Sequence, residues 1–517
     1  MKEGEADDKA SSQSHRSILS GTAVLFVGTA IGLALGFLAR MVPARLLGPD
    51  QYGLLMLGWT VVSVIGFVAK LGFKDGVTRH VPRADTTAER KSVFVTAVTI
   101  TFPWSLALAG GVFLFSNHLA MHVFDDSQLA AIIRIFAVTL PITTLSMVVL
   151  GTFRGYERAK EYVIVKKILN PGLRTIFIAG AILAGYSTFG AAIGWLLASV
   201  CSLAIAVWFL YRVTTIFEAE TAPLRHRELF LFSAPLMISG VMGLAINYGD
   251  NFLIGYFLSS SAVGMYDPAY MIGGLVTTGL TVFAYMFLPV FSKLHSNQQF
   301  NEMESFYRVV TKWVISVTLP VYLLIGLFPE SLLSITFGDA YTDGAIALAV
   351  LATGAFVNAG VGLCVQALVS IGDTRFIMVV NVGAAILNLV LNAMLIPEFG
   401  IIGAAFASAI TTASYNLVYT YRLYRTTGIV AFPRTILGPV LVTGGVAIGL
   451  SRVIQDGSGI PVLIGMLLLF TVVYLLLYIR LGAIGEEDLE LIDIAEERTN
   501  IDLSAVKRIV QSTMPEQ

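Results

Sequence analysis

Residues 460–480 read IPVLIGMLLLFTVVYLLLYIR, twenty uncharged residues before the first cation at Arg480. At 1.5 Å per residue a helix of that length covers about 30 Å, the thickness of a bilayer hydrocarbon core. Working outward from it, comparable runs recur near 18–39, 51–71, 92–115, 129–150, 164–186, 190–211, 229–257, 265–291, 307–328, 344–370, 376–396, 401–421 and 433–455. The whole chain agrees, with 56% of its 517 residues hydrophobic and only 13% charged, against about 25% charged in soluble domains. Mean hydropathy is +0.79. The expected fold is an all-α polytopic membrane protein of about 14 transmembrane helices.

The charges exclude several classes of function. The 33 Lys+Arg and 34 Asp+Glu nearly cancel, so the basic excess of a nucleic-acid binder is missing. The two cysteines, Cys201 and Cys364, fall in apolar runs with no metal-ligand or disulfide spacing and read as small packing residues. The segment Met1 to Arg16 is polar and acidic, unlike the basic start of a signal peptide, so no cleaved leader is expected. No nucleotide-binding loop, metal-ligand cluster or catalytic triad can be read. His118 and His122 sit four apart near the outer end of helix 3, but they lack a third ligand and read as interfacial.

Orientation follows from the loops, because those on the cytoplasmic side hold the excess of Lys and Arg. One side gathers most of the cations, among them Lys74, Arg79, Arg83, Arg90 and Lys91 in one loop and Arg154, Arg158, Lys160, Lys166 and Lys167 in another. With an even number of helices both termini share that side and are expected to be cytoplasmic.

The spans also repeat. A shift of about 210 residues lays helices 1–6 over helices 7–12 and brings Phe189-Gly190-Ala191-Ala192-Ile193-Gly194 onto Phe399-Gly400-Ile401-Ile402-Gly403. Tyr52-Gly53 falls near Val263-Gly264-Met265-Tyr266 under the same shift. Six helices per repeat give both halves the same topology, hence two lobes related by a pseudo-twofold along the membrane normal, with a substrate cavity expected between them. The expected organisation is a cytoplasmic N-terminal tail over 1–17, an N-lobe over 18–211, a cytoplasmic linker over 212–228 and a C-lobe over 229–428. Helices 13 and 14 follow over 429–481. A cytoplasmic tail over 482–517, with Leu489, Ile492 and Ile501 among acids, reads as short amphipathic helices.

Four stretches carry a family resemblance: Ala44-Arg45-Leu46-Leu47-Gly48-Pro49-Asp50-Gln51-Tyr52-Gly53, Tyr248-Gly249-Asp250-Asn251, Asn388-Leu389-Val390-Leu391-Asn392 and Ile396-Pro397-Glu398-Phe399-Gly400. The chain resembles the polysaccharide-transporter branch of the multidrug/oligosaccharidyl-lipid/polysaccharide exporter superfamily over helices 1–14. The resemblance implies an alternating-access flippase that carries a polyprenyl-linked oligosaccharide across a prokaryotic plasma membrane. Its implied partners are that lipid-linked oligosaccharide, membrane lipids and glycan-assembly proteins. No cofactor is implied, and coupling to a proton or sodium gradient stays open. Drug/cation antiporters belong to the same superfamily, and a membrane-embedded glycan-transfer enzyme is the rival from another class. The enzyme needs a sizeable catalytic loop, whereas no interhelical loop exceeds about 20 residues.

Polar residues inside the spans supply the candidate site. Only uncharged residues separate Arg174 from Tyr186, so helix 5 must reach back beyond Arg174 to span and carries that cation near mid-membrane. A cation there costs roughly 2.5 to 3.5 kcal/mol on insertion scales, so it faces a partner or water. Lys167, Pro171, Arg174 and Ile178 share a face by i, i+3/i+4 spacing, and Asn170-Pro171-Gly172 marks a kink. Arg174 and Lys167 suit a substrate phosphate; alternatively Arg174 pairs internally or caps carbonyls of the broken helix. On helix 11, Asn381, Asn388 and Asn392 share a face and either bond sugar hydroxyls or join helices. Arg40 and Asp250 occupy equivalent repeat positions at the outer ends of helices 1 and 7 and form a candidate ion-pair gate, or sit independently at the interface. Helices 1–6 hold no Asp or Glu well inside the core, and Asp250 is the clear candidate in helices 7–12, which disfavours cationic cargo.

The topology is testable. Cysteines placed at Ser187 or Ser458 are expected to react with an impermeant thiol reagent added outside intact cells, whereas one at Thr87 reacts only after lysis. Outside labelling at Thr87 reverses the assignment.

Overall fold

A membrane core offers no water to unpaired backbone groups, so each spanning segment must satisfy its own, which favours helix throughout. The computed structural model describes residues 2–70, 72–220, 222–430, 434–454 and 459–481, with Glu496 and Ser504, and among the described residues it is helical with no strand. The amphipathic tail expected over 482–517 lies outside the described residues apart from those two positions. The chain divides into two compact units, Met1–Gly264 and Met265–Gln517.

The first unit contains α1 (Lys2–Lys70), α2 (Phe73–His80), α3 (Thr87–His118), α4 (Leu129–Gly155), α5 (Ala159–Val163), α6 (Asn170–Leu183), α7 (Thr188–Val213) and α8 (His226–Phe257). Thr86 opens α3 with a side-chain cap, its Oγ1 accepting from the Glu89 N–H. Within this unit α4 packs on α3, α7, α1 and α2, while α6 packs on α7 and α1. Helix α9 (Ser260–Gly273) begins in the first unit and ends in the second.

The second unit continues with α10 (Thr278–Ser296), α11 (Phe300–Leu327), α12 (Pro329–Thr336), α13 (Ala345–Gly360), α14 (Cys364–Ser370), α15 (Thr374–Thr427), α16 (Leu437–Val453) and α17 (Ile460–Arg480). Here α13 packs on α15 and α11, and α11 also holds α10 and α17. Phe287, Phe291 and Tyr307 anchor one buried cluster of this unit, and Ile315, Phe470 and Tyr474 another.

Eight helices among the described residues are long and apolar enough to cross a membrane, fewer than the fourteen runs of the sequence. One reason is fusion. Helices 1 and 2 of the sequence form the single element α1, bent at Gly48 (φ 75°, ψ 170°), and helices 11 and 12 form α15, bent at Gly400 (φ 60°, ψ −141°). Pro49 disfavours a helical conformation for the residue before it, and Gly48 accepts a region that is essentially closed to side chains. The second reason is interruption. The fifth run is divided into α5, a π-helix over Ile164–Leu169 and α6, and the thirteenth run gives the short α16.

Gly400→Ala is expected to destabilise the protein by about 1–3 kcal/mol, because it forces a side chain into that backbone region. Gly383→Ala, inside α15 with open space around the added methyl, is expected to be neutral or to stabilise by up to about 1 kcal/mol. Thermal unfolding of the two variants in detergent compares them.

Candidate functional site

The break in the fifth run is built around Pro171. Proline has no N–H, and its ring clashes with the carbonyl four residues back, here that of Lys167. The chain relieves this by widening into the π-helix Ile164–Leu169 and restarting as α6 at Asn170, so the deformation expected at Asn170-Pro171-Gly172 lies one turn earlier. Thr175 Oγ1 donates to the Pro171 carbonyl at 2.9 Å. Pro171 and Ile178 turn into the bundle and are buried, whereas Lys167 and Arg174 are half-buried.

Glycine lets neighbouring helices press on this broken segment. A methyl group on Gly32 of α1 would lie 2.8 Å from Lys167 Cβ, and one on Gly194 of α7 would lie 2.8 Å from the Phe177 carbonyl oxygen. On the adjoining wall, a methyl on Gly151 of α4 would lie 2.7 Å from the Lys74 carbonyl oxygen. Close helix approach therefore fixes the backbones that carry Lys167, Arg174 and Lys74.

The result is a concentration of positive charge. Lys70, Lys74, Lys167 and Arg174 all act electrostatically on Lys166, an exposed residue of the π-helix. Asp75 is the acid that acts on Lys74. The sequence reading singled out Arg174 and Lys167 and missed Lys70, Lys74 and Lys166, which it placed in loops or at helix ends. Their cationic spacing was visible, but their convergence depends on α1 crossing the π-helix.

Arg174 also has an aromatic neighbour. Its guanidinium carbon stands 4.3 Å from the ring centroid of Trp195. Trp195 in turn packs on Trp59 with centroids 4.4 Å apart and planes tilted by 30°, and Phe136 meets both indoles edge-on at 5.4 and 5.5 Å.

The other candidates fall in separate places. Asn388 Nδ2 donates to Ser408 Oγ at 3.3 Å, Asn392 Nδ2 donates to Asn388 Oδ1 at 3.1 Å, and Tyr419 OH donates to Asn381 Oδ1 at 2.8 Å. All three bonds lie within α15, and those to Ser408 and from Tyr419 join its two halves. Arg40 is half-buried and Asp250 buried, both in the first unit. Asp267 on α9, 2% exposed, and Lys312 on α11 are a buried acid and a buried cation of the second unit. The sequence reading named neither Asp267 nor Lys312. His118 and His122 stack with centroids 4.5 Å apart, and no group of three His, Cys, Asp or Glu that could hold a metal occurs among the described residues. Cys364 is buried against Tyr307, whose hydroxyl lies 2.9 Å from Sγ, and Cys201 is half-buried; both are free thiols.

A different cluster ties residues 219–233 to α2 and α3. Lys91 Nζ donates to the Ala219 carbonyl at 2.6 Å, Arg225 pairs with Glu89 at 3.1 Å, and the Arg79 guanidinium lies 4.2 Å from the Phe232 ring centroid.

Known proteins share this architecture. A solved structure of the lipid II flippase MurJ in an inward closed conformation superposes with a TM-score of 0.67 at 13% identity, covering 89% of this chain and 99% of that one. An inward-facing multidrug resistance MATE transporter of the MOP superfamily gives 0.62 at 16% identity, covering 78% and 98%. Among curated relatives, the probable low-salt glycan biosynthesis flippase Agl15 of Haloferax volcanii is 26% identical over 464 residues, 87% of this chain and 94% of its own. The putative O-antigen transporter of Shigella flexneri is 24% identical over 392 residues, covering 73% and 89%. The MatE family pattern matches residues 235–394, and that of the family described as polysaccharide biosynthesis protein matches residues 18–295. With that second match extending over more than half of its length, the chain belongs to the polysaccharide biosynthesis protein family.

Proposed function

We propose that the protein is a flippase for a lipid-linked oligosaccharide, bound through the phosphate or diphosphate that joins glycan to lipid. The observation that carries this reading is the cluster of Lys70, Lys74, Lys166, Lys167 and Arg174. Five cations held together repel one another. A phosphoryl group offsets that repulsion, while a cationic cargo increases it. The glycan and polyprenyl parts add bulk but no opposing charge. The names of the glycan flippase and O-antigen transporter relatives support the same cargo class. The reading places the protein in the plasma membrane with both termini cytoplasmic, working beside glycan-assembly proteins and driven by an ion gradient or by the cargo gradient alone. It involves no catalysis.

A second reading, export of organic cations, is favoured by the buried acids Asp250 and Asp267 and by the MatE match. Deleting the gene distinguishes the two. The flippase reading expects lipid-linked saccharide to accumulate in the inner leaflet, and the antiporter reading expects sensitivity to cationic dyes instead.

Arg174→Ala is expected to lower saccharide export at least tenfold in the complemented deletion strain. Arg174→Lys should retain part of it, because lysine keeps the charge and loses the planar fork. Unchanged export by Arg174→Ala removes Arg174 from the site.

Lys166→Gln gives a separate expectation. Without cargo, removing one of the mutually repelling cations should raise the thermal midpoint by a few degrees, and it should at the same time weaken binding of a polyprenyl phosphate. Opposite movement of stability and affinity is the pattern of a functional charge kept at a structural cost; a fall in both marks Lys166 as structural.

A further inference from the structure

The guanidinium of Arg174 rests against the indole of Trp195 with its carbon 4.3 Å from the ring centroid. That distance is within the range in which the negative face of an indole attracts a cation, and tryptophan is the strongest of the aromatic partners. Trp195 is 5% exposed and is itself fixed by Trp59 at 4.4 Å and by the edge of Phe136 at 5.4 Å. The backbone sets the meeting. Gly194 presses α7 onto the Phe177 carbonyl of α6, so the next residue, Trp195, arrives beside Arg174, which lies one turn before Phe177 on the same helical side.

We propose that Trp195 is a positioning residue for cargo binding: its indole seats Arg174 and sets the direction in which the guanidinium meets the phosphoryl group. This rests on the flippase reading above and adds a specific residue to it. A carboxylate in the place of the indole would hold Arg174 equally well but would cancel its charge. A ring face holds the cation by its quadrupole and leaves the unit charge available to an anion. Trp59 and Phe136 act behind it by preventing the indole from turning away.

The test uses the full-length protein in lipid nanodiscs with farnesyl diphosphate as the probe. Trp195→Leu is expected to weaken binding about tenfold, the factor that 1.4 kcal/mol represents, and Trp195→Phe, which keeps a weaker ring face, should lose less. The deciding comparison is the double-mutant cycle. In an Arg174→Ala background, Trp195→Leu should cost nothing further, because the residue it positions is gone. A tryptophan needed only for packing would cost the same in both backgrounds, and that result overturns the proposal. Size-exclusion profiles and thermal midpoints identify variants that fail to fold, and Trp195→Phe keeps the comparison available if Trp195→Leu is one of them. If the intact protein does not bind the probe at all, the flippase reading falls together with this one. If it binds and Arg174→Ala binds equally well, the positioning role alone is wrong.

Discussion

A positive charge can be kept in the low-dielectric part of a membrane protein only if something other than water stabilises it, and the choice of partner decides what the charge can still do. In the first unit Arg79, Arg90, Arg134, Arg154, Arg174 and Arg212 each lie over an aromatic ring, at 4.2 to 5.7 Å from its centroid. In the second unit Arg422 lies over the Phe376 ring at 5.0 Å and also makes a 2.6 Å ion pair with Asp373. Both arrangements meet the solvation demand. A ring face does not cancel the charge as a carboxylate does, and the cluster around Lys166 lies in the first unit.

Holding those charges in place falls to the backbone. The proline at 171 obliges the helix to widen, and the widened turn over Ile164–Leu169 carries Lys166 and Lys167. Helices α1 and α7 can press against this irregular segment because glycine stands at the crossings. The same device recurs in the other unit, where a methyl on Gly403 would lie 2.1 Å from the Leu395 carbonyl oxygen. Gly194 and Gly403 are the residues that the sequence repeat aligns, and each brings together the two helices on either side of it within its own unit.

The fold class was legible because hydropathy over about twenty residues is a strong signal. The kink read at Asn170-Pro171-Gly172 also marked a real departure from straight helix, one turn away. What escaped was tertiary. Nothing in the spacing of Lys70 and Lys74 says that α1 will cross a π-helix, since the register of such a helix follows from how a proline clash is relieved. Trp195 was hidden for a related reason: a tryptophan in an apolar run looks like packing, and its contact with Arg174 arises from a helix crossing rather than from chain proximity. The asparagines of α15 were visible as one face, but whether that face meets cargo or its own hairpin depends on the bend at Gly400, where the sequence reading had drawn two separate helices.

The crossings at Gly151 and Gly194 constrain how this protein can change over generations. When a core side chain grows, a neighbouring side chain can shrink to make room, so most packing positions drift in compensating pairs. At these two positions the neighbour is a main-chain carbonyl oxygen, of Lys74 in one case and Phe177 in the other. No mutation makes a carbonyl smaller. A larger residue at either glycine can be accommodated only by moving a whole helix, which would also displace the lysine or arginine it carries, so there is no compensating partner for either position.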